Sequence, residues 1–206
     1  MLHILKETPS PRGAIALRDM FEARKRVFVD LLGWDVPVLG GRYEVDQFDD
    51  VHCAYLVLAD SAGGHLASTR LLPTERPHIF DSLYPALCDG PVPRGPDIFE
   101  ITRFCLERDL PTRDRRRARD TLICGLIDHA LVNGIRAYTA IAEQRWLKQI
   151  EGFGWRTKRL GPLRNDGVTN LGALEIRIDG DTPKQVRATG IVPDDTLNDL
   201  PAQAAA

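Results

Sequence analysis

From residue 12 to 32 apolar residues recur every three or four positions: Leu17, Met20, Phe21, Phe28 and Leu31 form one helical stripe. Ser10-Pro11 has the form of an N-cap and first helical position, and Gly33 stops the run. The period then changes. "LHILK" before this helix and "CAYLVLA" and "HLASTRLL" after it read as strands, the last two joined by the hairpin signal "DSAGG". Residues 35–50 are loop-like, with Pro37, Gly40, Gly41 and an acidic end, and "HIFDSLYPAL" reads as a short helix. "PDIFEITRFCL", at 96–106, is a further strand. A helix follows over about 113–132, with Leu122, Ile123, Leu126, Ile127, Ala130 and Leu131 as its buried face and Gly134 beyond its end. "IRAYTAIA" (strand), "EQRWLKQIEGFG" (helix), "WRTKRLG" and "LGALEIRI" (strands) complete the pattern, which fades after about residue 180. Strands interleaved with helices in this order predict a single three-layer α/β domain over 1–180 with a mixed central sheet, followed by a C-terminal segment, 181–206, frayed at "PAQAAA".

Composition narrows the function classes. The chain has 206 residues, 43% of them apolar and 27% charged, which suits one soluble domain with a full core. A net charge of −2 gives no global pull toward nucleic acid. No apolar run is long enough to span a membrane, and the first residues lack a signal-peptide pattern. Cys53, Cys88, Cys105 and Cys124 are widely spaced, so buried thiols in a reducing cytoplasm are expected rather than disulfides. The histidines show no metal-ligand spacing.

Charges in apolar positions carry the functional signal, because such breaks of local pattern gather at sites. Arg24 lies four residues from both Met20 and Phe28, inside the helical stripe. It is either a long side chain snorkelling to the rim of the core or a cation held to meet a carboxylate or phosphate. "YEVDQFDD" crowds Glu44, Asp46, Asp49 and Asp50 around Phe48, a solvated loop or a cradle for a cation. Within 96–106, strict alternation sets Glu100 with Ile98, Thr102 and Phe104, and Arg103 on the other face with Phe99 and Ile101. Both serve one site only if a bulge re-aims one of them; otherwise they are a structural ion pair. Arg113, Arg115, Arg116, Arg117 and Arg119 open the long helix and offer an anion site, or simply a solvated face.

Together these positions resemble the LuxI-type acyl-homoserine lactone synthases, the autoinducer synthases of bacterial quorum sensing. Arg24, Phe28 and Trp34 in "ARKRVFVDLLGW" match that family's R-x3-F-x5-W, and "EVDQFD" matches its acidic motif through Glu44, Asp46 and Asp49. Arg70 opens the family string "RLLPT". "FEITRF" matches the element that bears Glu100 and Arg103, with Phe99 for the common Trp, and Tyr84 stands where Phe is usual. The resemblance covers roughly residues 1–180. It implies a fold similar to the GCN5-related N-acetyltransferases, although their pyrophosphate-loop motif is absent where "RRRARD" stands.

The resemblance further implies an acyltransferase with two substrates and no cofactor or metal: S-adenosylmethionine, and an acyl thioester on acyl carrier protein or coenzyme A. Amide formation is followed by lactonisation and release of 5′-methylthioadenosine. On this reading Glu100 is the base for the amine, directly or through water, and Arg103 helps to bind S-adenosylmethionine. Thr102 polarises the thioester carbonyl, and Phe104 lines the substrate site. Arg24, Phe28 and Trp34 shape the S-adenosylmethionine pocket, and Asp46 and Asp49 hold its cationic end with Arg70 as ion-pair partner. Tyr84, Leu122, Leu126 and Ala140 line the acyl tunnel, between the 98–106 and 136–142 strands. Ala140 falls where makers of 3-oxo-acyl products tend to have Thr, so a preference for unsubstituted chains is expected. The arginines at 113–119 dock the carrier. The competing readings are a GCN5-like N-acyltransferase acting on another amine and a non-catalytic ligand-binding module.

Overall fold

The computed structural model describes residues 2–5, 11–165 and 167–199, so the Ser10 cap and the "PAQAAA" tail lie outside the described residues. The first elements are β1 (Leu2–Leu5), α1 (Pro11–Arg24) and, continuing α1, a π-helical stretch over Lys25–Leu31. The wider π turn shifts the stripe. Ala16, Met20, Ala23, Arg24 and Phe28 are buried, whereas Leu31, placed on the stripe by an α-helical count, is exposed. Gly33 ends the run with φ of +68°.

A small hairpin, β2 (Val38–Leu39) with β3 (Tyr43–Glu44), interrupts the loop region. Then come β4 (Ala54–Ala59), β5 (His65–Pro73), α2 (Ile79–Leu83), β6 (Ile98–Leu106), α3 (Thr112–Asn133) and β7 (Ala137–Glu143). The chain continues through α4 (Gln144–Glu151), β8 (Arg156–Arg159), β9 (Arg164–Asn165), β10 (Asn170–Arg177) and α5 (Thr182–Ala188). The main sheet runs β1-β4-β5-β6-β7-β10-β8, with β9 on β10. It is mixed: β6 and β7 are parallel, and β10 is antiparallel to both β7 and β8. This is the α/β architecture that the alternating periods predict.

Contacts gather into two compact units, the first of residues 1–70, 103–125 and 193–206, the second of 71–102 and 126–192. In the first, β1 lies antiparallel to β4, and Ala23, Phe28 and Cys105 form a buried cluster. In the second, helices cover both sheet faces. The Tyr138 hydroxyl donates to the Leu126 carbonyl at 3.0 Å, which places the C-terminal half of α3 against one face of β7. The other face carries a cluster of Phe80, Leu87 and Ala173 with Tyr84 and Ile141 packed on it.

Two expectations need correction. Leu131, predicted as buried, is 42% exposed in the last turn of α3. The chain also stays structured past residue 180: Val186 in α5 and Leu197 beyond it are fully buried. Their short, Pro-containing, charge-rich segments give too few turns for periodicity to register. A tight approach in the second unit is at Gly154, with φ of +93°, where an added Cβ would stand 2.7 Å from the Gln185 carbonyl oxygen. Gly154→Ala therefore combines backbone strain with a backbone clash. It should lower unfolding stability by about 1–3 kcal/mol, read as a shifted denaturant midpoint at constant m-value.

Candidate active site

The π turn that follows Arg24 sets the first unit's polar cluster. Phe28 lies in this turn, and Trp34 reaches back after it: its backbone N–H donates to the Phe28 carbonyl at 2.8 Å. The two rings stack with centroids 4.7 Å apart and planes 22° from parallel. Phe28 is buried, whereas Trp34 is 40% exposed, so the stack has one inner and one outer ring.

Beside it, three guanidinium groups interlock with three carboxylates. Arg24 donates through Nε to Glu44 at 2.5 Å and grips Asp49 with both terminal nitrogens at 2.8 Å. Arg70 clasps Asp46 at 2.6 and 3.0 Å and reaches Asp49 at 2.8 Å. Arg103 bonds Glu44 at 3.0 Å and Asp46 at 2.8 Å. Tyr55 adds a hydroxyl to Asp49 at 2.8 Å. Formal charges cancel, as burial requires, because one unpaired ion would cost several kcal/mol. Burial opposes the charge on Arg24, but Asp49 and Glu44 outweigh it and hold its pKa above the usual value. Burial likewise favours a neutral Asp49, yet Arg24 and Arg70 keep its carboxyl well below the ordinary carboxylate range. Burial and the neighbouring Asp49 push the Tyr55 phenol up, so it remains a donor.

Arg103 joins this cluster because its backbone leaves the strand conformation: φ is +51°, the only positive value for a non-glycine among the described residues. That left-handed residue supplies the re-aiming that alternation along β6 denies. The Arg103 guanidinium sits 5.6 Å from both the Phe28 and the Trp34 ring centroids. Its side chain is 9% exposed and that of Asp46 10%, against 1% or less for Arg24, Glu44, Asp49 and Arg70. The cluster thus has a closed interior and an accessible edge at Arg103, Asp46 and Trp34.

Glu100 belongs to the second unit. It is fully buried and accepts the Phe80 N–H at 3.2 Å, so it faces α2 and the apolar cluster that includes Tyr84. Thr102, next but one, is 8% exposed, and Phe104 is half-buried on β6 in the first unit. Parallel pairing sets Glu100 opposite Thr139 and Ile101 opposite Ala140. Ala140 therefore shares the α3 face with Tyr138, away from Glu100 and Tyr84. The predicted acyl-pocket residues are accordingly not brought together. Leu126 lies on the face opposite Tyr84, and Leu122 and Leu126, at 0% and 1% exposed, are packed core. Alternation on paired strands is the physical reason.

The predicted basic face exists only in part. Arg117 is held by Asp114 at 2.7 Å and by Asp194 at 2.5 Å, Arg119 bonds Asp120, and Arg115 donates to the Leu110 carbonyl. Arg113 and Arg116 are exposed and line an open concavity with Thr112 and Asp120. Sequence reasoning missed Tyr55, whose phenol in an apolar strand reads as core, and the Phe80 amide, which carries no side-chain signal.

A family model described as autoinducer synthase matches residues 11–186. An acyl-homoserine-lactone synthase from Acinetobacter baumannii is 39% identical over 162 residues, 73% of this chain and 86% of that protein. Among solved structures, the CoA-dependent acyl-homoserine lactone synthase MesI superposes with a TM-score of 0.83 at 27% identity, covering 94% of this chain and 97% of that one. BjaI, a CoA-dependent acyl-homoserine lactone synthase solved with SAM and isopentyl-CoA, gives a TM-score of 0.81 at 25% identity, covering 93% and 90%. A Lactobacillus plantarum protein described as an N-acetyltransferase shares the fold alone, with a TM-score of 0.59 at 17% identity over 86% and 99%. Among the described residues, no helix is long and apolar enough to cross a membrane.

The ion cluster generates a stability prediction. Asp49→Asn leaves Arg24 and Arg70 short of a carboxylate and should cost about 3–5 kcal/mol near neutral pH, measured by denaturant unfolding. Because the folded-state pKa of Asp49 is depressed, its contribution is full above the ordinary value of 3.8 and is lost as pH falls below it. The gap between the two proteins should therefore hold from neutral pH to about 4 and narrow only below that.

Proposed function

Because the chain belongs to the autoinducer synthase family, we propose that it is an acyl-homoserine lactone synthase, joining S-adenosylmethionine to an acyl thioester. The observation that carries this reading is the turned-out Arg103, whose guanidinium is shared between buried carboxylates and an aromatic stack. S-adenosylmethionine carries a flat adenine, a sulfonium, an ammonium and a carboxylate. The half-exposed Trp34 over Phe28 suits the ring or the sulfonium, by stacking or cation–π attraction. At the accessible edge, Arg103 suits the carboxylate and Asp46 the ammonium. Asp49, Glu44, Arg24 and Arg70 act one layer deeper: fully buried and mutually committed, they tie the 43–50 segment to α1 and β5 and hold Arg103 in place.

Chemistry then needs little added machinery. An ammonium cannot attack a thioester, so one proton must first leave the amine. Glu100 is the base, held by the Phe80 amide and three residues from Arg103 along β6. The free amine adds to the carbonyl, the carbon–nitrogen bond forms, and the carbon–sulfur bond breaks to release the thiol. Thr102 polarises that carbonyl. The methionine carboxylate then attacks its own γ-carbon. The sulfonium leaves as a neutral thioether, 5′-methylthioadenosine, so this step requires no proton. The acyl chain runs along the Glu100 face, against Tyr84 and its apolar neighbours Phe80 and Ile141, rather than past Ala140. Arg113 and Arg116 meet the phosphates of the thioester's carrier; a CoA thioester is the first substrate to test, since MesI and BjaI are CoA-dependent.

The purified protein given S-adenosylmethionine and acyl-CoA should yield equal amounts of acyl-homoserine lactone and 5′-methylthioadenosine by mass spectrometry. An acylated amine with no methylthioadenosine would instead mark a GCN5-like N-acyltransferase. Glu100→Gln should lower kcat by about 10²–10⁴-fold while S-adenosylmethionine still binds. Arg113→Glu with Arg116→Glu should raise KM for the thioester and leave KM for S-adenosylmethionine unchanged, an effect that weakens with salt. Equal changes in both KM values would remove these arginines from the carrier site.

A further inference from the structure

On the sheet face that carries Glu100, neighbouring strands set a polar row in direct register. Glu100 on β6 pairs with Thr139 on β7, Thr139 with Glu175 on β10, and Glu175 with Lys158 on β8. Directly paired residues share a face, with Cβ atoms about 5 Å apart. Beside the row, this face carries the apolar residues Ala137, Ile141 and Ala173, with Arg177 next to Glu175 at its outer end.

Two features of the row are unusual inside a sheet. Thr139 is 0% exposed, and its hydroxyl oxygen has no hydrogen-bond partner among the described residues. A buried unpaired hydroxyl costs stability, and valine would fill the same space without that cost. Glu175 is a buried carboxylate in the middle of a sheet, 8% exposed, joined to an exposed Arg177 at 2.8 Å. The row thus runs from a wholly buried acid, through a hydroxyl able both to donate and to accept, to a carboxylate whose partner lies in solvent.

The proposed reaction supplies a use for it. An ammonium and a thioester give an amide, a thiol and one proton, and lactonisation neither takes up nor releases another. Each turnover therefore leaves one proton on Glu100, which has no exposed surface of its own. We propose that Thr139 and Glu175 form the exit route for this proton. The Glu100 carboxyl gives its proton to the Thr139 hydroxyl, or to a water that this hydroxyl holds. Thr139 passes its own proton on to Glu175, and Glu175 releases it to solvent beside Arg177. Each group ends in its starting state, and no other reactant is needed. The inference rests on Glu100 acting as the base of the proposed acyltransfer.

The test is rapid-quench kinetics of wild type, Thr139→Val, Thr139→Ser and Glu175→Gln with S-adenosylmethionine and acyl-CoA. A base acts in its first turnover before it has any proton to shed, so Thr139→Val and Glu175→Gln should form the first equivalent of amide at the wild-type rate. Their steady-state rate should then fall by about tenfold or more, while Thr139→Ser behaves as wild type. Thr139→Val should also unfold at or above the wild-type temperature, because it removes an unpaired buried hydroxyl. Steady-state rates equal to wild type would overturn the relay. So would a first turnover slowed as much as the later ones, since that places the residue ahead of the base. A lower unfolding temperature with no rescue by serine would make Thr139 a packing residue and equally overturn it. Wild-type protein that makes no amide sinks the acyltransfer reading and the relay with it, whereas active wild type with unaffected variants sinks the relay alone.

Discussion

The constraint on which the first unit depends is charge neutrality out of water. Arg24 and Arg70 are fully buried and Arg103 nearly so, and Glu44, Asp46 and Asp49 in combination neutralise them. Each carboxylate bonds two of the three arginines, so removing any one group leaves at least one buried charge without a full complement. The consequences spread outward. The 43–50 segment must return to α1, β5 and β6 to deliver its acids. The π turn must present Phe28 after Arg24. Arg103 must accept a left-handed backbone, a cost of about 1–3 kcal/mol that the bonds to Glu44 and Asp46 offset.

One strand serves two purposes. Over Ile98–Ile101, β6 is an ordinary member of a parallel ladder, and alternation sends Glu100 toward α2. Three residues later, alternation fails at Arg103, which turns toward the acids and the aromatic stack. Glu100, the proposed base, and Arg103 therefore lie three residues apart in the chain in different environments. Glu100 is fully buried between the Phe80 amide and Thr139, whereas Arg103 lies at the accessible edge of an ionic cluster.

Much of this was legible in the sequence. The switch from a period of 3.6 to a period of 2 marks α1, α3 and the central strands, because those elements are long enough to repeat. Arg24 declared itself as a cation in an apolar stripe, and Glu100 with Arg103 as charges in an apolar strand. The rest depends on facts that no local pattern carries. A π turn has no residue signature, so an α-helical count puts Leu31 in a stripe it leaves. The face on which Ala140 lies follows from its pairing with Ile101, a long-range register. Arg117 reads as part of an anion site, but Asp194, 77 residues away, holds it. Tyr55 and the Phe80 amide gain meaning only from what folds against them.

On the proposed reading, the ion cluster and its aromatic cover form the floor of an S-adenosylmethionine site. Trp34 tests it most directly, because it is 40% exposed and lies outside the buried core, so its loss should spare the fold. The measurement is calorimetric titration of S-adenosylmethionine into wild type and Trp34→Ala. One site per chain is expected in the wild type and an affinity at least about tenfold weaker in the variant, with unfolding temperatures alike. Equal affinities in two equally folded proteins would contradict it.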